Sequence, residues 1–174
     1  MARYDLIGIG NTTQDYLGVV ERLPSKPDEG APLLDFTVQG GGVVATAVVA
    51  AARLGLKVAH ADAIGDDDVG RQVLADLEAE GVSTEFMQII PGATTPRCIV
   101  LIHRPTGKRS LLCNPGTARG HFAELSLELE DAVRSAWGLH VFAPKDAVTR
   151  RAVEVAHDAG TKAVSYTHLT LPTN

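Results

Sequence analysis

Three consecutive glycines, Gly40 to Gly42, and the small-residue run behind them constrain the fold of this chain more than any other stretch. The run, residues 43–55, reads VVATAVVAAARLG and carries one charge, Arg53. A segment that is apolar on nearly every side predicts a buried helix. Glycines before a helix let a ligand approach its unpaired N–H groups and positive dipole end, which favours an oxygen-rich ligand. A flexible loop that enters a core helix is the alternative.

Composition and charge narrow the class of protein. A length of 174 residues predicts one domain with a substantial core, and 45% hydrophobic with 21% charged residues is typical of soluble globular proteins. The net charge of −5, with scattered Lys and Arg, argues against a nucleic-acid partner. The sequence has neither a signal-peptide pattern nor an apolar run of about 18 residues, so we expect a cytoplasmic protein without a membrane partner.

Residues that often bind metals do not form a metal motif here. Cys98 and Cys113 lack a CxxC spacing and lie in separate apolar runs, which predicts reduced core thiols. The six histidines show neither HExxH nor a paired spacing. The three aspartates at 66–68 precede a helical pattern, so helix capping explains them better than a metal cluster does.

The first predicted strand, residues 4–9, ends in a loop that carries two polar candidates for a binding site. The dinucleotide fingerprint GxGxxG fails there because Thr13 occupies the place of its third glycine. Asn11 and Asp15 instead present an amide and a carboxylate just past the strand end, where open α/β sheets bind ligands. A carboxylate can accept hydrogen bonds from paired hydroxyls, as sugar binding requires. A solvated or capping aspartate is the alternative.

The remaining pattern predicts an α/β protein with a parallel sheet flanked by helices and a small β-sheet lid. The lid is assigned to short β-like stretches within residues 16–39 and 86–113. The other segments alternate between strands at 57–64, 139–142 and from 161, and helices near 123–136 and 147–159.

Four motifs occur in a fixed order over roughly residues 3–163. They are GN with a later Asp in the first loop, GG before the small-residue helix that ends in ARLG, IGDDDVG, and the turn GKR that leads to NPGTA. In this order and spacing the chain resembles the N-terminal half of a ribokinase-like sugar kinase of the PfkB carbohydrate kinase family. The resemblance implies a truncated ribokinase-like fold.

The resemblance also implies a set of sugar-contacting residues: Asn11, Asp15, Gly41, Gly42, Thr46 and Arg97. Thr46 stands where the family usually has Asn, which keeps a hydroxyl but loses the amide's donor and acceptor pair, so the identity of the sugar stays open. In this family the lid closes over the substrate and often mediates dimer contacts. A homodimer through the lid strands is therefore expected.

The implied activity is the ATP-dependent phosphorylation of a sugar hydroxyl, with ATP and Mg²⁺ bound by the full-length parent. Family members carry the catalytic base, a GAGD-like anion hole and the nucleotide site in a C-terminal half that this sequence does not show. We therefore assign no catalytic, cofactor or metal residue here and expect the fragment to be inactive. A nucleoside kinase of the same fold and a non-catalytic sugar-binding module are the alternatives.

The end of the chain, SYTHLTLPTN, resembles a translated transposase sequencing adapter. We expect residues 1–163 to be the substrate-binding part of the kinase domain and residues 164–174 to be a non-native tail. A sheet interrupted after its first strands would expose an edge and apolar helix faces, which predicts poor solubility of the chain made alone.

Overall fold

The computed structural model describes residues 3–142 and 146–166, which form ten strands and four helices. The strands are β1 (Leu6–Ile9), β2 (Thr13–Val20), β3 (Leu33–Gly41), β4 (Val58–Ala61), β5 (Ala63–Gly65), β6 (Gln88–Ile90), β7 (Arg97–His103), β8 (Arg109–Asn114), β9 (Gly138–Phe142) and β10 (Lys162–Tyr166). The helices are α1 (Val43–Arg53), α2 (Asp68–Ala79), α3 (Leu127–Ser135) and α4 (Ala147–Ala159).

A four-stranded parallel sheet in the order β10-β9-β1-β4 forms the centre of the molecule. Helices cover both of its faces. Accordingly, alternate residues of β1 and β4 belong to two separate clusters of buried apolar side chains. Ile7 and Ile9 pack with α3 and α4, whereas Val58 packs with α1 and α2. The predicted α/β fold class is confirmed.

Helix α1 is buried on one face rather than all around. Its buried residues are Val44, Ala45, Val48 and Ala51, while Thr46 is exposed. The helix lies so close to β1 that a Cβ atom at Gly8 would overlap the Val48 side chain. The small residues of the run therefore serve a close approach between helix and sheet.

The lid is a separate four-stranded sheet in the order β3-β2-β7-β8. The β2–β3 and β7–β8 pairs are antiparallel, and β2–β7 is parallel. One predicted lid strand is wrong, because β6 pairs with β5 in a small sheet of its own. The Gln88 N–H donates to the carbonyl of Asp62 at 2.8 Å, which draws this strand beside β5.

Two predicted boundaries shift because local side chains cap the backbone. The predicted strand at 57–64 divides at Asp62, whose carboxylate accepts from the N–H groups of Thr12 at 2.8 Å and Ala63 at 2.9 Å. Helix α3 begins after Ser126, which caps the Leu129 N–H, rather than near residue 123. Of the predicted tail, residues 164–166 belong to β10 and residues 167–174 lie outside the described residues.

Cys98 and Cys113 form a disulfide, so the prediction of reduced thiols is wrong. The two apolar runs that carry them are the strands of one hairpin, and its register places the cysteines directly opposite each other with a Cα–Cα distance of 4.1 Å. A pair in this position can be bridged without a change in the backbone path. Their separation of 15 residues along the chain gave no indication of this contact.

Candidate functional site

The Asp15 carboxylate lies directly over the α-carbon of Gly41. In the β2–β3 register Thr13 is opposite Gly41 and Asp15 is opposite Gln39, so Asp15 reaches Gly41 along a diagonal. A Cβ at residue 41 would overlap the carboxylate. The Thr13 hydroxyl donates to Oδ1 of Asp15 at 2.8 Å and orients the group. The two predicted sugar contacts therefore share one location at the base of the lid.

Asn11 and Gly42 form the junction between the first loop and α1. Gly42 occupies the N-cap position with a φ of 95° and has no side chain to cap the helix. A Cβ there would overlap the Asn11 carbonyl, so glycine is required both by the backbone angle and by the close approach. Asn11 itself has a φ of 58°, and its Oδ1 accepts from the Val43 N–H. Asn11 thus supplies the missing cap, and its side-chain oxygen is used by the helix.

A cleft of about 420 Å³ opens beside this junction, between α1, α2 and the end of β3. Gly41 and Thr46 line it together with Thr13, while Asn11, Asp15 and Gly42 adjoin it through Gly41. Its outer rim carries an exposed ion pair between Arg53 and Glu80, with 2.6 Å between Nε and Oε2. The remaining lining residues are Thr12, Val38, Gln39, Gly40, Ala45, Val49, Val73, Asp76, Leu77 and Ala79.

Arg97 is not among the residues that line the cleft. Its guanidinium binds the carboxylate of Asp67, with 2.7 Å between Nη2 and Oδ2. Asp67 also caps α2 through the Gly70 N–H at 2.9 Å and accepts from the Thr95 hydroxyl at 2.6 Å. Burial raises the pKa of Asp67, but the hydrogen bonds from Thr95 and Gly70 and the charge of Arg97 hold it below its usual value. The structure gives Arg97 a structural partner, and its sugar contact stays a prediction.

Three residues that sequence reasoning did not identify support the loop of Asn11. His60 is fully buried in β4, and its Nε2 shares a 2.7 Å hydrogen bond with the Thr12 hydroxyl. Burial lowers the pKa of His60 to about 4 and raises that of Asp62, which accepts from the Thr12 N–H. The parallel register places His60 beside Gly8, a long-range pairing that the sequence did not indicate.

Of the aspartates at 66–68, Asp67 is a helix cap, as predicted. Asp67 caps α2, and Asp66 accepts from the Gly92 N–H at 2.9 Å. Across residues 3–142 and 146–166, no three or more His, Cys, Asp or Glu side chains are grouped so that they could hold a metal ion. Within the same ranges, no helix has the length and apolar character needed to cross a membrane.

Comparisons with solved structures show a shared fold. A ribokinase from Arabidopsis thaliana, solved in complex with ribose and ATP, superposes with a TM-score of 0.77 at 19% identity, over 95% of this chain and 53% of that one. A PfkB protein from Polaromonas superposes with a TM-score of 0.73 at 22% identity, over 96% of this chain and 56% of that one. The lid and the central sheet thus match ribokinase-like structures.

Sequence comparisons identify relatives with known activities. A nucleoside kinase from Methanothermobacter thermautotrophicus is 26% identical over 93% of this chain and 51% of its own length. Fructokinase-2 from Solanum lycopersicum is 31% identical over 72% of this chain and 40% of its own length. This chain spans about half the length of these relatives or less.

The sequence profile of the pfkB family carbohydrate kinases matches residues 4–171. The match covers all three sheets and all four helices of the described residues and includes part of the predicted tail, whose origin stays a prediction. The chain therefore belongs to the pfkB family of carbohydrate kinases.

Proposed function

We propose that this chain carries the sugar-binding half of an ATP-dependent kinase that phosphorylates a sugar hydroxyl. The observation that carries the proposal is the Asp15 carboxylate over Gly41, beside the N-terminus of α1. A carboxylate accepts hydrogen bonds from neighbouring hydroxyls, and a helix N-terminus favours oxygen. A polyol at this junction would meet both. The adjoining cleft of about 420 Å³ falls within the size range of small-molecule sites.

Each residue at the junction would have its own role in sugar binding. Asp15 would accept from two sugar hydroxyls while Thr13 holds its orientation. Gly41 and Gly42 would let the sugar approach the backbone, and Thr46 would offer a hydroxyl on the cleft wall. Asn11 fixes the start of α1. Arg97 would act at a distance, through its hold on Asp67 at the base of the lid.

Among the described residues, no three or more His, Cys, Asp or Glu side chains are grouped so that they could hold a metal ion. In the proposal ATP and Mg²⁺ would be held by a further part of the protein, which would also supply the base that deprotonates the hydroxyl. The ribokinase that was solved with ribose and ATP is about twice as long as the part that this chain covers, so its length is compatible with such a division. This chain would bind the acceptor and exclude water from it, without phosphoryl transfer of its own.

A nucleoside is the second candidate acceptor. The nucleoside kinase from Methanothermobacter thermautotrophicus matches 93% of this chain, a larger share than the fructokinase does. A nucleoside presents its ribose diol to the same kind of carboxylate and adds a flat base. The open side of the cleft, along α2, would have to accept that base.

We also propose a homodimer formed through the lid, in a cytoplasmic enzyme that draws on the ATP pool. Four exposed apolar side chains support this assembly, since the strand register places Phe36, Val38, Ile99 and Leu112 on one face of the lid sheet. Sedimentation of the chain tests the dimer. A monomer at tens of micromolar would contradict it.

Calorimetric titration of the 174-residue chain with ribose, fructose, adenosine and uridine tests the acceptor class. Tighter binding of a free sugar than of either nucleoside is the expected result. Preference for a nucleoside would move the assignment to the second candidate. No binding of any of the four would contradict a polyol site at Asp15. Phosphate transfer from ATP by the chain alone would contradict the proposal that another part of the protein holds ATP and the base.

A further inference from the structure

The lid disulfide lies in the same row of the sheet as Asp15. Asp15 is paired with Cys98 across β2 and β7, and Cys98 is paired with Cys113 across β7 and β8. Residues that are paired across neighbouring strands point to the same face, with Cβ atoms about 5 Å apart. The disulfide is therefore the immediate lateral neighbour of the carboxylate to which sugar binding is assigned.

The disulfide joins β8, at the edge of the lid sheet, to its neighbour β7. β8 lies at the edge of the lid sheet, where β7 is its only strand partner among the described residues, and all six of its residues are exposed. The disulfide is the covalent tie between these two strands. Cys98 is 4% exposed, whereas Cys113 lies on the exposed edge, so an external thiol reaches the sulfur of Cys113 first.

We propose that the Cys98–Cys113 pair is a thiol–disulfide exchange site through which small thiols of the glutathione class adjust acceptor binding. Structural disulfides are rare in the cytoplasm, where such bonds are usually transient and redox-sensing. With the bond closed, β7 and β8 move as one unit beside Asp15. With the bond open, β8 is held by backbone pairing alone, and the support beside Asp15 loosens. The link to acceptor affinity and the cytoplasmic setting rest on the proposed function, but the exposure of the bond at the edge of the lid does not.

The exchange proceeds in two balanced steps. A thiolate of the small thiol attacks the Cys113 sulfur and forms a mixed disulfide, while the Cys98 sulfur leaves and takes a proton from water. A second thiolate attacks the sulfur of the bound small thiol and releases Cys113, which is protonated in turn. The protein bond gains two electrons, and the two small thiols become one disulfide. The same steps in reverse, with the small-molecule disulfide as oxidant, close the bond.

To test the site, the folded 174-residue chain is equilibrated in buffers with different ratios of reduced to oxidised glutathione. Alkylation and mass spectrometry give the fraction of bonded Cys98–Cys113, and amide hydrogen exchange reports on β8. We expect reversible opening without denaturant, amide exchange of β8 at least tenfold faster in the open form, and severalfold weaker binding of the sugar. Inertness to reduced glutathione, or opening that leaves β8 exchange unchanged, would overturn the proposal.

A Cys98→Ala/Cys113→Ala variant is the matched control. It should show fast β8 exchange at every glutathione ratio, and its sugar affinity should no longer respond to the buffer. If neither form binds any sugar, the proposed function fails, and the exchange site is still judged by alkylation and amide exchange. Sugar affinity that is equal in open and closed wild type would refute the link to acceptor binding.

Discussion

The central sheet and the lid are both four-stranded, yet they are stabilised in different ways. All four residues of β4 are buried, and Ile7 and Ile9 of β1 have no exposed surface. In the lid, every residue of β8 and all but Gly41 of β3 are exposed. Strands β1 and β4 of the central sheet are stabilised by apolar burial, whereas the lid buries Val20 and Val100 of its inner strands and depends further on strand pairing, a disulfide and the Arg97–Asp67 ion pair at its base. A sheet of the second kind is suited to move.

The candidate site lies where these two regions meet. Asn11 follows the rigid strand β1 and fixes the start of α1, while Asp15 belongs to the lid strand β2. An acceptor held at this junction would touch one group from each region. Movement of the lid would therefore change the position of Asp15 while leaving Gly42 and the helix in place.

The largest expected difference is in the free energy of unfolding, when an isoleucine of each region is replaced by alanine. Ile9→Ala in β1 deletes a side chain with 0% exposure and should cost about 2–5 kcal/mol of unfolding free energy. Ile99→Ala in β7, where the side chain is 48% exposed, should stay within about 0.5 kcal/mol. Urea unfolding at a concentration where the chain is monomeric measures both. Equal losses would mean that the lid is as strongly packed as the central sheet.

A pH effect of similar size should arise from the central sheet alone. Burial holds the pKa of His60 at about 4, so the unfolded chain binds a proton there at higher pH than the folded chain does. The stability that depends on neutral His60 is complete above about pH 6.5 and is lost as the pH falls toward 4, on the order of 3 kcal/mol in all. Unfolding free energies from pH 7 to 4 should fall less steeply in His60→Gln than in wild type. The exposed His157→Gln is the control, and parallel curves for wild type and His60→Gln would contradict this account.

A smaller effect is expected at the base of the lid. Asp67→Ala removes the cap of α2 and the partner of Arg97, and it should cost about 1–2 kcal/mol. Asp68→Ala, at a neighbouring side chain that is 97% exposed, should stay within about 0.5 kcal/mol. Because hydrogen bonds and Arg97 hold the pKa of Asp67 below its usual value, its contribution is present above about pH 4 and fades at lower pH. Equal losses of unfolding free energy in the two variants would mean that Asp67 does not stabilise the base of the lid.

Local patterns in the sequence were sufficient where local interactions decide the structure. The helix predicted at 147–159 has those bounds because Asp146 caps its start and Gly160 adopts a left-handed conformation after its end. The hairpin of β7 and β8 likewise follows from its turn residues. The family motifs then identified the fold class.

Local sequence patterns did not predict contacts between residues that are far apart in the sequence. The pairing of β6 with β5 depends on a long-range contact that no local pattern encodes, and the disulfide depends on the exact register of the predicted hairpin. The role of Asn11 as the cap of α1 joins residues 32 positions apart. The ion pair between Arg97 and Asp67 likewise joins residues 30 positions apart.

Asp15 of the lid and the backbone of Gly41 are proposed to form one acceptor site. Calorimetric titration of Asp15→Asn, with the tightest-binding acceptor found for wild type, tests it most directly. Asp35→Asn is the matched control, because Asp35 is an exposed lid carboxylate opposite Val19, away from Gly41. Hydrogen bonds to a charged group contribute about 1.5–3 kcal/mol, so Asp15→Asn should weaken binding about tenfold or more and Asp35→Asn should not. Undiminished affinity in Asp15→Asn would contradict the claim.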